Sequence, residues 1–345
     1  MVIDFHLGAN GLLSYPARWI GIESPGWMGV SVFFVLSGFL VGGLLLKEGK
    51  VRGSIDSGRF LARRGFKIWP QYYLFLAVML VAGHRTVREL WGNLLNIQNY
   101  VGGVAHTWSL AVEEHAYLVI VLCLYLSARC RLRMRYVLLF FAASAVCVSL
   151  LRMLLLRHGL PYFAPTHARI DGIFYGVILA IVYHFAPETF HSLQDRRWIW
   201  VAALAAVLLF ARFGRGWWEP SVTLDSANLL GIALLMLLYR HRKGARHSWA
   251  YRAIAWVGLY SYGIYLWHVS VDEPIRALGR HMAGWLLPAW VLIAPAAAAI
   301  ALGFVTTKLI EFPALRLGDR WFPRRVDSAV GTPAEFEATE AGAHT

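Results

Sequence analysis

Apolar residues in this chain gather into long blocks, divided by short polar stretches that carry most of its charge. A helix that crosses the hydrocarbon core of a bilayer needs about 20 mostly apolar residues, because each residue rises only about 1.5 Å. Blocks that meet or approach this requirement fall at residues 1–13, 26–46, 68–82, 108–126, 136–156, 169–185, 199–213, 226–239, 255–271 and 285–310. Block 68–82 is short but follows a basic ramp, and block 108–126 is interrupted only by Glu113, Glu114 and His115. The last block is broken by Pro288 and Pro295. The pattern predicts an all-α, polytopic membrane helical bundle of about ten transmembrane helices, the first truncated at the N-terminus. Five residues before His6 cannot cross half a bilayer, so a missing N-terminal stretch is expected. Residues 1–325 are expected to form one transmembrane domain. Residues 326–345, acidic, small and polar, are expected to form a disordered cytoplasmic tail.

Composition supports the bilayer as the solvent: of 345 residues, 58% are hydrophobic and 14% aromatic, and the mean hydropathy is +0.52. A formal charge of +13 would suggest nucleic acid as a partner if it covered a soluble surface. Here two thirds of the 33 Lys and Arg residues fall in alternate loops, after the second, fourth, sixth, eighth and tenth blocks. That is the positive-inside signature; it puts both termini in the cytoplasm of a multi-pass inner-membrane protein and excludes a nucleic-acid reading. The N-terminus lacks a signal-peptide pattern, so the spans themselves direct insertion. Cys123, Cys130 and Cys147 have neither metal-ligand nor disulfide spacing and read as packing residues. The 13 His form no H-x-x-x-H helix motif, so no metal is expected.

Ionisable groups inside spans are costly and mark functional sites by default. The topology brings His6, Glu113, Arg169, Asp171 and His268 to the outer half of the membrane. Arg63, Arg64 and Lys67 open the third span from the cytoplasmic side, where Arg64 and Lys67, three residues apart, share a helix face. Such a face suits a phosphate-bearing donor. Moving an acyl group from a thioester to an alcohol needs a base for the hydroxyl proton and donors for the developing oxyanion. His6 is the candidate base, and Glu113 can orient its imidazole and stabilise the cation. An isolated His in a span is more often a packing contact; several ionisable groups at one depth are what favour chemistry.

Five stretches then match in order the motifs of the acyltransferase-3 family of membrane O-acyltransferases. They are F-H-L around His6, G-V-S-V-F-F-V-L-S-G-F-L from Gly29, F-L-A-R-R-G-F-K-I-W-P from Phe60, T-W-S-L-A-V-E-E-H-A-Y from Thr107 and S-Y-G-I-Y-L-W-H from Ser261. R-I-D-G from Arg169 adds weaker support. The chain resembles this family over nearly its whole length up to the tail. The resemblance implies that His6 is the essential first-span histidine, that Glu113 is the fourth-span glutamate, and that an acyl-CoA, commonly acetyl-CoA, is the co-substrate without a bound cofactor. It further implies a hydroxyl acceptor on an envelope glycan, a lipid-linked sugar or a similar molecule. The chain departs from the family in two ways. The Arg usually found about three turns before the His is absent, and the basic R-x-x-R pair appears as Arg64 and Lys67, which keeps the charge but loses one planar fork.

Other features favour packing or topology. Gly38 with Gly42, and Gly172 with Gly176, have the G-x-x-x-G spacing that lets helices approach closely. Ser37 and Ser109 lie outside any nucleophile-elbow pattern, so direct transfer is expected. Tyr262, Tyr265, Trp267 and His268 could line the acceptor cavity or anchor a span at the interface. Arg169 and Asp171 are candidate acceptor-binding groups, with structural pairing between spans as the equal alternative. A transporter or flippase of an envelope precursor is the competing function, but the two halves show no convincing repeat.

Overall fold

The computed structural model describes residues 26–213, 219–239, 248–279 and 287–323. The first predicted block with His6, and the predicted tail at 326–345, lie outside the described residues. All regular structure among the described residues is helical. The elements are α1 (Gly26–Arg52), α2 (Ser57–Val81), α3 (Val87–Leu94), α4 (Gln98–Val101), α5 (Trp108–Arg129), α6 (Met134–Arg157) and α7 (Asp171–Phe185). They continue with α8 (Pro187–Asp195), α9 (Arg197–Phe213), α10 (Glu219–Tyr239), α11 (Trp249–Leu278), α12 (Leu287–Thr306), a π turn at Thr307–Glu311 and α13 (Phe312–Trp321).

Each predicted block from the second to the tenth coincides with a helix. Five stretches are long and apolar enough to cross a membrane: Met28–Arg52, Ala105–Arg129, Met134–Arg157, Pro220–Tyr239 and Ile293–Trp321. A sixth is added if α7 and α8, bent by 113° at their junction, count as one broken span. Helix α2 is 25 residues long, but its first turns carry Arg59, Arg63, Arg64 and Lys67, which lower its hydropathy.

Two boundaries differ from the expected ones. Helix α2, the third predicted block, starts at Ser57, well before the predicted residue 68, because Asp56 caps it by accepting a hydrogen bond from the Arg59 amide at 3.1 Å. Arg and Lys are good helix formers, so the basic ramp is the first third of a helix and not a loop. In the last block Pro288 sits in the first turn of α12, where a missing N–H costs nothing, and the helix runs on through Pro295. The break falls instead at the π turn, a geometry frequent at functional sites.

Helix α1 is the axis of the larger part of the bundle and packs against α7, α10 and α5. Lipid tails provide no hydrophobic drive for helix association, so close van der Waals contact must hold these helices together. The glycines supply it. A Cβ on Gly38 would lie 1.9 Å from the Ile173 carbonyl oxygen, and one on Gly176 would lie 2.1 Å from that of Val35. Both G-x-x-x-G pairs therefore meet in one interface, as the spacing predicts. Around it Phe34, Leu45, Ile120, Phe141, Ile173 and Val177 form the main apolar core, while Leu118, Leu122, Leu139 and Leu150 point outward toward the lipid.

The smaller part joins α2 to the α11–α12 hairpin through Tyr72, Phe75, Leu76, Leu266 and Trp267. The segment between α2 and α5 sets the position of the glutamate helix. Asn93 accepts from the Val104 amide at 3.0 Å and donates to Tyr72 and Thr107 at 3.0 and 2.8 Å. Gly103, at φ +150 and facing the Asn93 side chain, leaves room for this clamp at the start of α5.

Candidate functional site

Residues Ser109, Glu113 and Tyr117 recur every fourth position and so share one face of α5, turned into the protein. Glu113 is 4% exposed. The Tyr117 hydroxyl donates to Glu113 Oε1 at 3.2 Å, which leaves the Ser37 hydroxyl of α1 to donate to Tyr117 at 2.8 Å. From α2 the guanidinium of Arg64 lies over the Tyr117 ring, 5.4 Å from its centroid, and packs on Phe60 at 5.5 Å. From α11 the Tyr265 hydroxyl meets Ser109 Oγ at 2.5 Å. Three helices thus converge on one face of a fourth. A buried carboxylate sits at the centre with a cation one aromatic ring away.

The other predicted residues divide into separate sites. Arg64 reaches inward, but Arg63 turns to α13, where it pairs with Asp319 at 2.6 Å and donates to the Phe322 carbonyl at 2.6 Å. Lys67 lies near Glu311, which the π turn buries and to which Thr307 donates at 3.3 Å. His268 is buried, with Nδ1 donating to the Tyr265 carbonyl at 2.5 Å and its ring 5.3 Å from His106. It therefore stands behind Tyr265 and Ser109, on the α11 side of the Glu113 face.

Arg169 and Asp171 are close in sequence, yet their side chains serve different groups. Asp171 accepts from Arg152 at 2.9 Å and from Asn228 at 3.0 Å. Arg152, fully buried in α6, also pairs with Asp225 and bonds Ser221 and the Ala168 carbonyl. This ties α6, α7 and α10 together and gives Asp171 a structural task. Arg169, 2% exposed, lies over the rings of Phe34, Trp108 and Phe163 at 5.4 to 5.8 Å and donates to Ser31 at 3.2 Å.

Sequence reasoning missed Tyr117, Ser37 as a hydrogen-bond partner, Glu311, and the role of Arg152. Tyr117 could have been found from its place one turn after Glu113. Arg152 could have been found as an arginine inside a span, since such a charge requires a carboxylate from another helix.

An all-helical membrane chain with carboxylate, phenol, hydroxyl and guanidinium gathered inside it has the parts of an intramembrane group-transfer protein. The acyltransferase domain family matches residues 1–308, and the chain belongs to that acyltransferase-3 family, as its motifs indicated. It is 24% identical to the peptidoglycan O-acetyltransferase OatA of Listeria monocytogenes over 331 residues, covering 85% of this chain and 52% of that protein. It is 24% identical to a putative O-acetyltransferase of Staphylococcus aureus over 338 residues, covering 86% of this chain and 53% of that one. It is 25% identical to the putative peptidoglycan O-acetyltransferase YrhL of Bacillus subtilis over 371 residues, covering 94% of this chain and 54% of the relative. The chain thus spans about half the length of these curated relatives. No solved structure matches it.

Proposed function

We propose that this protein is a membrane O-acyltransferase that moves an acetyl group from acetyl-CoA, bound at the cytoplasmic face, to a hydroxyl of an envelope glycan such as peptidoglycan. The chain crosses the inner membrane about ten times with both termini inside. The observation that carries the reading is the buried Glu113, held by Tyr117 and Ser37, with Arg64 stacked on the same tyrosine. His6 takes the proton of the acceptor hydroxyl, and Glu113 orients the imidazole and stabilises its cation. The new C–O bond forms as the thioester C–S bond breaks, and the imidazolium returns its proton to the leaving thiolate. Arg64 and Lys67 hold the phosphates of the donor; Arg63, committed to Asp319, braces the helix that carries them. His268, behind Tyr265, lines the acceptor side. Transport of a precursor draws no support from the relatives named above.

The test uses the full chain in liposomes, acetyl-CoA labelled in the acetyl group, and peptidoglycan fragments as acceptor, with products analysed by mass spectrometry. Label should appear as an ester on the glycan. His6→Ala and Glu113→Gln should each lower turnover by about 10² to 10⁴, the usual loss of general-base help. Absence of labelled glycan with inserted, folded protein would refute the reading.

A further inference from the structure

The cytoplasmic end of the last helix carries two cations that no acid neutralises. Helix α12 is 20 residues long and so rises about 30 Å, the thickness of the hydrocarbon core. The π turn and α13 that continue it therefore enter the cytoplasmic headgroup layer. Leu309, Leu317 and Trp321 are exposed on this segment, as surfaces that face lipid and its interface are. On the same segment lies an open depression of about 480 Å³ lined by Lys308, Phe312, Leu315, Arg316 and Asp319, within the size range of small-ligand sites. Lys308 rests on the Phe304 ring at 5.4 Å, and among the described residues neither it nor Arg316 pairs with a carboxylate. Asp319 does not supply one, because Arg63 of α2 holds it at 2.6 Å. The depression thus presents two cations beside the apolar side chains of Phe312 and Leu315.

We propose that this depression binds the headgroup of an anionic phospholipid from the cytoplasmic leaflet, its phosphate held between Lys308 and Arg316 and its first methylenes laid on Phe312 and Leu315. Topology alone asks only that basic residues stand on the cytoplasmic side. It does not ask that two of them converge on one cavity with apolar walls. Lys308 and Arg316 are eight residues apart, about 12 Å along the axis, a gap that two long side chains close around one phosphate. A zwitterionic headgroup fits less well, since its ammonium would meet two cations and an aspartate already committed to Arg63. A bound anion also has a structural consequence. It steadies α13, whose Asp319, with the Phe322 carbonyl that follows, holds Arg63 in the first turns of α2. Lipid binding here stands apart from the acyl-transfer reading and holds whether or not that reading does.

The test measures the first lipid adduct of the full chain by native mass spectrometry, with dioleoyl phosphatidylglycerol, phosphatidylethanolamine and phosphatidylcholine as probes. The wild type should bind phosphatidylglycerol about tenfold to thirtyfold more tightly than phosphatidylcholine, at about fivefold for each cation beside an anionic lipid. The double variant Lys308→Gln with Arg316→Gln should lose that preference. Arg129→Gln with Arg133→Gln, an exposed basic pair at the other end of the same leaflet's α5–α6 loop, should keep it. Amide exchange is the second readout: in nanodiscs, phosphatidylglycerol should slow exchange in α13 of the wild type relative to phosphatidylcholine, and the Lys308 and Arg316 double variant should show no such difference. Equal affinity for the three lipids, preference for phosphatidylethanolamine, or a preference that survives in that variant would overturn the proposal. An equal loss in the loop variant would overturn it too, by reducing the effect to diffuse surface charge. Slowing of α13 exchange by inorganic phosphate or coenzyme A in phosphatidylcholine nanodiscs would assign the cavity to a soluble phosphate and refute the lipid. The wild-type comparison of lipids decides even where the variants fail to fold.

Discussion

Replacing Tyr117 by Phe removes one oxygen atom and two hydrogen bonds from the centre of the protein. The bond to Glu113 is 3.2 Å and goes to a carboxylate; the bond from Ser37 is 2.8 Å and joins two hydroxyls. Hydrogen bonds to charged groups contribute about 1.5–3 kcal/mol and neutral ones about 1 kcal/mol. If the first of these holds Glu113 in the orientation its base partner needs, its loss should lower kcat by about tenfold to a hundredfold, at about 1.4 kcal/mol per factor of ten. The ring remains, and so does the stacking of Arg64 on it, because a phenyl face attracts a guanidinium as well.

The expected signature is therefore a fall in kcat with donor KM unchanged within about twofold, read from initial rates with labelled acetyl-CoA in proteoliposomes, by the arithmetic that assigns kcat losses to the transition state. Ser37→Ala should cost less, since the Tyr117 bond to Glu113 survives it. Tyr125→Phe, two turns along the same helix on its exposed side, is the control and should leave kinetics unaltered. Wild-type kcat in Tyr117→Phe, or a rise in donor KM alone, would refute the positioning role.

Three further outcomes follow from the packing and the ion pairs. Gly176→Ala should destabilise the protein by about 1–3 kcal/mol, because the new Cβ meets backbone atoms of Val35 and Phe39 at 2.1 and 2.5 Å. Gly43→Ala, whose nearest neighbour is a His184 nitrogen at 3.5 Å, should be close to neutral in the same thermal-unfolding measurement. Arg152→Met should cost about 3–5 kcal/mol by leaving Asp171 and Asp225 without their cation; Asp171→Asn in that background should restore part of the loss in a double-mutant cycle. Arg64→Ala should raise the KM for acetyl-CoA about tenfold, whereas Arg63→Ala should leave it unaltered and instead increase amide exchange in α13, the helix that Arg63 ties down through Asp319 and Phe322.

The helices were legible in the sequence because a bilayer imposes length and apolarity on every span, and because glycines four apart in two such spans can pack against each other. Gly38 and Gly176 behaved as that argument requires. Glu113 was legible because a carboxylate in an apolar block is conspicuous. Tyr117 was not, because tyrosine in a membrane helix is ordinary and its role depends on which helix its hydroxyl faces. The division of Arg63 from Arg64 was equally hidden: adjacent residues on a helix point about 100° apart, and the sequence does not say that α13 returns to cover one of them. The pairing of Asp171 with Arg152 joins residues 19 apart, across the loop between α6 and α7, so it follows from tertiary packing alone.

The glycine interface and the charged sites are parts of one arrangement. Helix α1 carries no charged residue from Gly26 to Leu46, so every ionisable group beside it there is brought by a neighbour. Gly38 and Gly42 let the start of α7 approach until its backbone touches α1, and this places Arg169, just before α7, over the ring of Phe34 one turn away. Ser37, next to Gly38 in sequence but turned toward α5, fixes Tyr117 and through it Glu113. A side chain at Gly38 would therefore act at two places: it would push α7 and Arg169 outward and rotate Ser37 away from Tyr117. Gly38→Ala should accordingly lower thermal stability, through the α1–α7 interface, and turnover, through Tyr117, together, though it touches neither Arg169 nor Glu113. The two can be measured separately, as the thermal-unfolding midpoint and as kcat in proteoliposomes. A variant that is destabilised but keeps wild-type kcat would show that the reaction centre is positioned independently of this interface.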